Sequence, residues 1–311
     1  MELRNVSKEG LDIVGSGVSG TVYRLDEDKV LKVYKKEVSF DEVKRQERIA
    51  QKVSSENIPT ARVYELVKCE DCYGAISDFL DGVPLVQYIG NDVQRRQKSA
   101  VKMGKLLSKV HGMTPDKEVF PSLKDMLRDV IYRVKEYFTD DEISAFTGFL
   151  DALPGRSRVL HGDFHENNIM IGNKNEEFYL IDLDGMSIGS PIFEFAQTYS
   201  VYKQELPPEI AKELGITKEL INGFLNTFVS SYFEAMGKRI TDREFVELDA
   251  LFTEMSAYSL FFFPLLSNTA DDPDSKQKLE DYIKDEMPKI LKLMESLKEK
   301  FKSELIKEVF S

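Results

Sequence analysis

Residues 159–171 read VLHGDFHENNIMI, and they place Asp163 and Asn168 five residues apart on a loop between two apolar runs. Phosphoryl transfer to an alcohol requires a carboxylate that accepts or orients the hydroxyl proton, and beside it a side-chain oxygen that ligates Mg²⁺. An aspartate and an asparagine at this spacing fit both needs. His161 precedes the pair, and we interpret it as a structural residue that orients the backbone.

A second acidic segment follows at residues 178–185, which read FYLIDLDG. An apolar strand that ends in carboxylates is costly to bury unless those groups are paired or bound to a metal. Asp182 lies fourteen residues after Asn168. That distance leaves room for a hairpin that brings both side chains to one metal ion.

Near the N-terminus, residues 15–22 read GSGVSGTV between two predicted strands. Glycines let backbone N–H groups approach a triphosphate. A strand follows the string, whereas a dinucleotide-binding crossover would continue into a helix, so a kinase-type phosphate loop is favoured. A glycine hairpin that binds nothing is the plainer alternative. The residues predicted to contact the nucleotide are Gly15, Ser16, Gly17 and Gly20.

Lys32 lies on the third predicted strand, ten residues after Val22. A strand lysine beneath a glycine loop can pair with the α- and β-phosphates, and an exposed strand lysine is the alternative. Such a lysine needs an acidic partner on the following helix, for which we choose Glu47. Gln46 competes for that position by its spacing, and Glu42 lies more than a turn earlier.

The chain divides by pattern into two domains. Residues 1–81 have the predicted order β-β-β-α-β-β, with a helix over Phe40–Val53, and Asp81-Gly82 and Pro84 then break the pattern. Residues 82–311 are predicted to be mostly helical, with a long helix capped by Asn91 and one apolar stripe over 275–309. Helix starts are predicted at Ser122, Thr139 and Thr241.

Composition excludes several classes of protein. The 311 residues carry 42 basic and 54 acidic side chains, a formal charge of 42 − 54 = −12. An acidic surface repels nucleic acid and anionic membranes. The most apolar run, Ala257–Leu266, is too short to span a bilayer, and the first residues lack the apolar stretch of a signal peptide. We therefore expect a cytoplasmic protein with neither nucleic acid nor membrane as partner.

The two cysteines, Cys69 and Cys72, form a C-x-x-C pair. A zinc site needs about four ligands, and no second pair exists. The surrounding residues alternate like a β-hairpin with Glu70-Asp71 at its tip. We predict two reduced thiols beside a turn.

Taken in order, these features resemble the protein-kinase-like superfamily, and HGDFHENN with IDLDG resembles the aminoglycoside phosphotransferase and choline kinase group. The resemblance runs from Gly15 to about Tyr199. It implies an α+β, bilobal protein-kinase-like fold: a small antiparallel N-terminal sheet with one helix, and a larger, mainly helical C-terminal lobe that holds the acceptor. The residue roles implied by the resemblance are Asp163 as catalytic aspartate, Asn168 and Asp182 as Mg²⁺ ligands, Lys32 as phosphate-binding lysine, and Asp78, Phe79 and Leu80 as the hinge that holds the base of ATP or GTP.

Three departures from known patterns bear on function. Residues 189–196, GSPIFEFA, follow Asp182 almost at once, so the long activation segment of protein kinases is missing and a protein substrate is disfavoured. Ser190 and Glu194 stand where the group commonly has aspartates. His165 stands where protein kinases place a lysine that meets the γ-phosphate, and we predict that it donates a hydrogen bond to the transferring group. A loop histidine facing solvent is the alternative.

The function predicted on these grounds is a small-molecule kinase. It would move the γ-phosphate of ATP or GTP, with Mg²⁺, onto a hydroxyl of an aminoglycoside, sugar or amino alcohol. The alternative is a nucleotide-binding regulatory pseudokinase with little transfer activity, motivated by the uncertain Glu47. The acceptor and the oligomeric state cannot be read from the sequence.

Overall fold

The computed structural model describes residues 3–17, 19–203, 216–267 and 273–310. The chain forms two compact units, which we call the first unit (residues 1–90 and 166–186) and the second unit (91–165 and 187–311). The predicted division at residue 82 differs from these units mainly in residues 166–186. Two strands of that segment join a sheet of the first unit.

A six-stranded sheet forms most of the described first unit. Its strands lie in the order β1-β5-β6-β4-β3-β2, and all neighbours are antiparallel except β1, which pairs parallel with β5. β1 has only two residues, too few for any periodicity in the sequence to reveal it. The strands are β1 (Arg4–Asn5), β2 (Ile13–Ser16), β3 (Gly20–Arg24), β4 (Lys29–Tyr34), β5 (Val63–Cys69) and β6 (Cys72–Asp78).

The two faces of β4 have different neighbours. Leu31 and Val33 pack in one apolar cluster, whereas Tyr34 packs with Val43 of helix α1 (Phe40–Ser55) in another. Because side chains alternate along a strand, Lys32 lies on the face of Tyr34. The alternating pattern of β4 thus directs this lysine to the side of the sheet that α1 covers.

The turn between β5 and β6 confirms the prediction for the cysteines. Cys69 and Cys72 lie opposite each other in the register of the two strands, and both are free thiols. Glu70 at the tip adopts a left-handed conformation with φ 55°.

A smaller sheet completes the described first unit, in the order β10-β9-β7. Its strands are β7 (Gly82–Pro84), β9 (Ile169–Gly172) and β10 (Phe178–Leu180), and β7 leads into the short helix α2 (Leu85–Ile89). Gly82 is needed there, because a Cβ atom would lie 2.4 Å from the carbonyl oxygen of Ile171. Two 3₁₀ turns, Glu166–Asn168 and Leu183–Gly185, flank the β9–β10 hairpin.

The described part of the second unit is mainly helical, with one pair of short strands, β8 (Arg158–Leu160) and β11 (Ser187–Gly189). A 3₁₀ turn covers Lys135–Tyr137. The helices are α3 (Val93–Gly112), α4 (Leu123–Arg133), α5 (Asp140–Ala152), α6 (Pro191–Tyr202), α7 (Lys218–Ala235), α8 (Asp242–Ser267), α9 (Pro273–Lys300) and α10 (Glu304–Phe310).

Helix starts follow the capping residues in most cases. Ser122 caps α4, and Thr139 forms a reciprocal capping box with Glu142 at the start of α5. The prediction for α3 was wrong by one residue. Asp92, not Asn91, is its N-cap, because the Asp92 carboxylate accepts hydrogen bonds from the first-turn N–H groups.

The single helix predicted over 275–309 is two helices, interrupted after Lys300. The break lets α10 turn so that Phe310 is buried against aromatic rings of three other helices. Those rings are Phe195, Phe233 and Phe252. Pro288 lies inside α9.

The α+β fold class is confirmed: a small sheet with one long helix, followed by a mainly helical C-terminal part. Within the described ranges, no helix combines the length and the apolar character that a membrane span requires.

Candidate active site

The glycine string is a tight hairpin turn between β2 and β3. The Gly17 N–H donates to the Gly20 carbonyl at 2.9 Å, and Gly15 and Ser16 lie on β2 opposite β3. A Cβ atom on Gly20 would lie 2.3 Å from the Val33 carbonyl oxygen, so only glycine fits beside β4 there. Val18 of the string lies outside the described residues.

Lys32 forms an ion pair with Asp184. The Lys32 Nζ lies 3.4 Å from the Asp184 Oδ2, and each side chain is about one-quarter exposed. The same Nζ lies 4.8 Å from the ring centroid of Tyr34. Burial raises the pKa of the Tyr34 hydroxyl, and the nearby Asp184 carboxylate raises it further. Lys32 is thus held beside the 3₁₀ turn that directly follows Asp182.

The predicted pairing of Lys32 with Glu47 is not the one that the structure contains. On α1, the inward positions are Val43, Gln46, Ile49, Ala50 and Val53. Glu47 is one residue, about 100°, further around the helix, and its Oε1 accepts a hydrogen bond from Gln51 at 3.4 Å. The competing Gln46 faces inward instead. The carboxylate that pairs with Lys32 belongs to Asp184, a residue to which the sequence motifs assign no role.

Asn168 and Asp182 are brought together by the β9–β10 hairpin. Asn168 immediately precedes β9, and its carbonyl accepts a hydrogen bond of 3.1 Å from the N–H of Ile181, the neighbour of Asp182. Asp182 has a left-handed backbone, with φ 57° and ψ 60°, which a non-glycine residue adopts only at a cost.

This pair suits a magnesium ion by its chemistry. Mg²⁺ in nucleotide sites is held by one or two carboxylate or amide oxygens, with phosphate and water oxygens completing the shell. Asn168 and Asp182 supply one amide and one carboxylate oxygen from adjacent backbone positions. Among the described residues no cluster of three or more acidic, histidine or cysteine side chains forms a complete protein cage. One amide and one carboxylate oxygen fit an ion whose remaining ligands are phosphate and water oxygens.

The three predicted hinge residues directly follow or end β6, and they line a cavity of about 760 Å³ in the first unit. Three of their groups are already engaged, the first being the Asp78 N–H, which donates to the Arg62 carbonyl at 3.0 Å. The Asp78 carboxylate accepts hydrogen bonds from the Arg62 N–H and the Tyr64 hydroxyl. The Phe79 N–H donates to the Asp28 carbonyl at 2.7 Å. The backbone N–H groups of Asp78 and Phe79 are thus both occupied here, and the assignment of Asp78, Phe79 and Leu80 as the residues that hold a base stays a prediction.

In the second unit, Asp163 and His165 face each other. The His165 Nε2 lies 3.1 Å from the Asp163 Oδ1, and the side chains are 12% and 55% exposed respectively. His165 is therefore not a loop histidine facing solvent. Asp163 presents an accessible carboxylate whose orientation is fixed on one side by the imidazole.

Glu194 holds the backbone immediately before Asp163. Its fully buried carboxylate accepts hydrogen bonds from the N–H groups of His161 and Gly162, the latter at 3.0 Å. Gly162 has φ 88°, a conformation that favours glycine. Glu194, which stands where the group commonly has an aspartate, thus binds the backbone of His161 and Gly162 despite its longer side chain.

His111 backs Glu194 from α3. Its Nδ1 lies 2.8 Å from the Tyr232 hydroxyl, and its Nε2 lies 3.6 Å from Glu194 Oε2. Burial lowers the pKa of the His111 imidazole, and the Glu194 carboxylate only partly opposes this. His111 is thus a buried positioning group near the end of α3.

Comparison with known proteins supports these features at the level of family and fold. The model of the phosphotransferase enzyme family matches residues 11–224. No curated protein matches the sequence.

Similar solved structures include two kinds of kinase. An ethanolamine kinase of Plasmodium vivax is 14% identical, with 93% of this chain and 81% of that chain covered and a TM-score of 0.56. The aminoglycoside phosphotransferase APH(2")-IIa in complex with gentamicin is 15% identical, with coverage of 96% and 93% and a TM-score of 0.53. At these identities the likeness concerns the fold. Because the family model covers more than half of the chain and carries the glycine loop, Lys32 and both acidic motifs, this protein belongs to the phosphotransferase enzyme family.

Proposed function

We propose that this phosphotransferase transfers the γ-phosphate of ATP or GTP to a hydroxyl group of a small molecule. The observation that carries the proposal is the accessible Asp163 carboxylate, held by His165 on a loop whose backbone is fixed by the buried Glu194. A carboxylate in this state can accept a hydrogen bond from an incoming hydroxyl and orient it for in-line attack.

The other residues divide into phosphate and metal groups. Lys32 neutralises phosphate charge, and the turn at Gly15–Gly20 supplies N–H groups to the same phosphates. Asn168 and Asp182 are the residues that would hold Mg²⁺. When bound, the ion neutralises charge on the β- and γ-phosphates. Most of the catalysis then comes from positioning and electrostatics rather than from a covalent step on the protein.

Asp184 must release Lys32 at least in part when a triphosphate arrives. The Lys32–Asp184 distance of 3.4 Å is long for a charge-assisted hydrogen bond. Both side chains are partly exposed, which limits the strength of the pair. A triphosphate therefore competes with one carboxylate rather than with a buried, multiply bonded partner.

Two features bear on the class of acceptor: the short segment between Asp182 and α6, and the net charge of the chain. Only eight residues separate Asp182 from Pro191, the first residue of α6, so the described chain has no segment there to dock a peptide. The net charge of −12 favours a cationic or neutral acceptor over an anionic one. We propose aminoglycosides, amino alcohols and neutral sugars as acceptors, and a cytoplasmic location remains a prediction.

His165 is expected to matter for turnover more than for nucleotide binding. Replacing His165 with alanine removes a hydrogen bond to a carboxylate, and we expect kcat to fall about 10- to 100-fold with little change in the KM for nucleotide. Glutamine can reach the same carboxylate and should retain more activity. Steady-state kinetics on both variants measure this, and an alanine variant with the kcat of the wild type would contradict it.

The test of the proposed function is an acceptor screen. The protein is incubated with Mg²⁺ and radiolabelled ATP or GTP, with label on the γ-phosphate, in the presence of an aminoglycoside, an amino alcohol or a sugar. We expect labelled product with one acceptor class and one nucleotide, and none with casein. Labelled casein without labelled small molecule would contradict the proposal, as would nucleotide binding without transfer to any acceptor.

A further inference from the structure

Helix α1 is tied to the turn that follows Asp182 by Arg45. The Arg45 Nη2 donates a hydrogen bond of 3.2 Å to the carbonyl oxygen of Asp184. The guanidinium is also bound to Glu42, through its Nε at 2.9 Å and through Nη2. The hydrogen bonds from Arg45 lower the pKa of the Glu42 carboxyl, so this pair is ionised near neutral pH. Arg45 thus binds Glu42 of its own helix through Nε and Nη2, and the same Nη2 also donates to the turn.

Asp184 is contacted from two sides. Its carbonyl oxygen binds Arg45, and its carboxylate binds Lys32. It lies in the 3₁₀ turn Leu183–Gly185, which starts directly after the left-handed Asp182. A left-handed aspartate persists only where its surroundings fix it. A hydrogen bond to the second residue of the following turn is one such constraint.

The inward face of α1 does not carry a carboxylate for Lys32. Gln46 occupies the inward position, and Glu47 is turned away. Lys32 is paired with the Asp184 carboxylate instead. Helix α1 is connected to the same residue, because Arg45 donates a hydrogen bond to the Asp184 carbonyl. The connection between helix and lysine thus runs through Asp184.

We propose that Arg45, braced by Glu42, is a positioning residue that fixes the Asp182–Asp184 turn and through it orients the metal-binding carboxylate of Asp182. This inference rests on the proposed function, since it concerns the site for Mg²⁺ and nucleotide. It adds a residue pair, Glu42 and Arg45, to which the sequence motifs assign no role. Loss of Arg45 should therefore weaken the metal-dependent part of nucleotide binding and leave the metal-independent part unchanged.

The test is the affinity for ATP and for GTP, measured by titration calorimetry with and without Mg²⁺. Arg45→Met keeps the apolar stem and removes the guanidinium. We expect its Mg²⁺-dependent affinity to fall about tenfold, the effect of one hydrogen bond to a charged group, while affinity in EDTA stays that of the wild type. Arg45→Lys should not restore affinity, because one ammonium nitrogen cannot reproduce the Nε and Nη2 hydrogen bonds to Glu42 and the Asp184 carbonyl together. The matched control is Lys52→Met, which removes a cation from the same helix and breaks its pair with Glu56.

A second variant, Glu42→Gln, tests the brace without changing Arg45. It should show a smaller loss in the same direction, and the double variant should be no worse than Arg45→Met alone, because both changes remove one interaction. Equal Mg²⁺-dependent affinities for Arg45→Met and Lys52→Met would overturn the inference while leaving the proposed function intact. A wild-type protein that binds neither nucleotide would overturn both. Circular dichroism of each variant separates these results from loss of the fold.

Discussion

Replacing Asp163 with asparagine is expected to lower kcat by at least about 100-fold while the affinity for nucleotide stays the same. Asparagine has nearly the same size but cannot accept the hydroxyl proton, and proton transfer by a positioned side chain contributes about 10² to 10⁴ in rate. The side chain is 55% exposed, so the change should cost little stability. Single-turnover transfer and equilibrium nucleotide binding, measured on the same preparation, separate the two effects.

The control for this experiment is Asp140→Asn, which makes the same chemical change at an exposed first-turn position of α5. It should have the kcat of the wild type. An Asp163→Asn protein that turns over at the control rate would remove Asp163 from the reaction. A loss of nucleotide binding equal to the loss of kcat would mean that Asp163 acts on nucleotide rather than on acceptor.

Replacing Glu194 with alanine is expected to be the most destabilising single change near the site. It leaves the N–H groups of His161 and Gly162 without their acceptor in a buried place, and each such group costs about 1–3 kcal/mol. A total near 3 kcal/mol corresponds to a fall in Tm of about 5 °C for a chain of this size. Activity should fall as well, because the backbone that carries Asp163 loses its anchor.

Glutamine at residue 194 separates charge from hydrogen bonding. Its amide oxygen can still accept from both N–H groups, so Glu194→Gln should lose much less stability than the alanine variant. Differential scanning calorimetry measures both Tm values. Equal losses for the two variants would show that the negative charge beside His111, rather than acceptance of the backbone N–H groups, is what Glu194 contributes.

The motif-bearing segments could be predicted from sequence because their chemistry is local. Strand alternation places Lys32 on the α1 face, and the glycine string is the turn between β2 and β3. The family was likewise predictable, since HGDFHENN and IDLDG are both short and specific. The positions of Asn168 and Asp182 follow from a hairpin whose length the sequence displays directly.

The partners of these residues could not be predicted, because they depend on tertiary packing. Glu47 and Gln46 differ by 100° around α1, and the sequence pattern does not fix the rotation of a helix to that accuracy. Asp184 is brought to Lys32 by a 3₁₀ turn, and no hydrophobic periodicity in the sequence predicts that turn. The break between α9 and α10 could not be predicted either, because it too depends on tertiary packing. The apolar spacing continues through it, and only the burial of Phe310 among distant rings explains the turn.

The central claim, a metal-dependent nucleotide site in the first unit, is tested most directly by thermal unfolding of the wild type and of Asp182→Ala. Each is measured with ATP or GTP, with Mg²⁺ or with EDTA. Ligand at about 100 times its Kd adds about 2.7 kcal/mol of stability, a rise in Tm of roughly 4 °C here. We predict this rise for the wild type with Mg²⁺ and one of the nucleotides, and its loss in Asp182→Ala. A wild type that shows no rise with either nucleotide, or an Asp182→Ala protein that shows the full rise, would contradict the account.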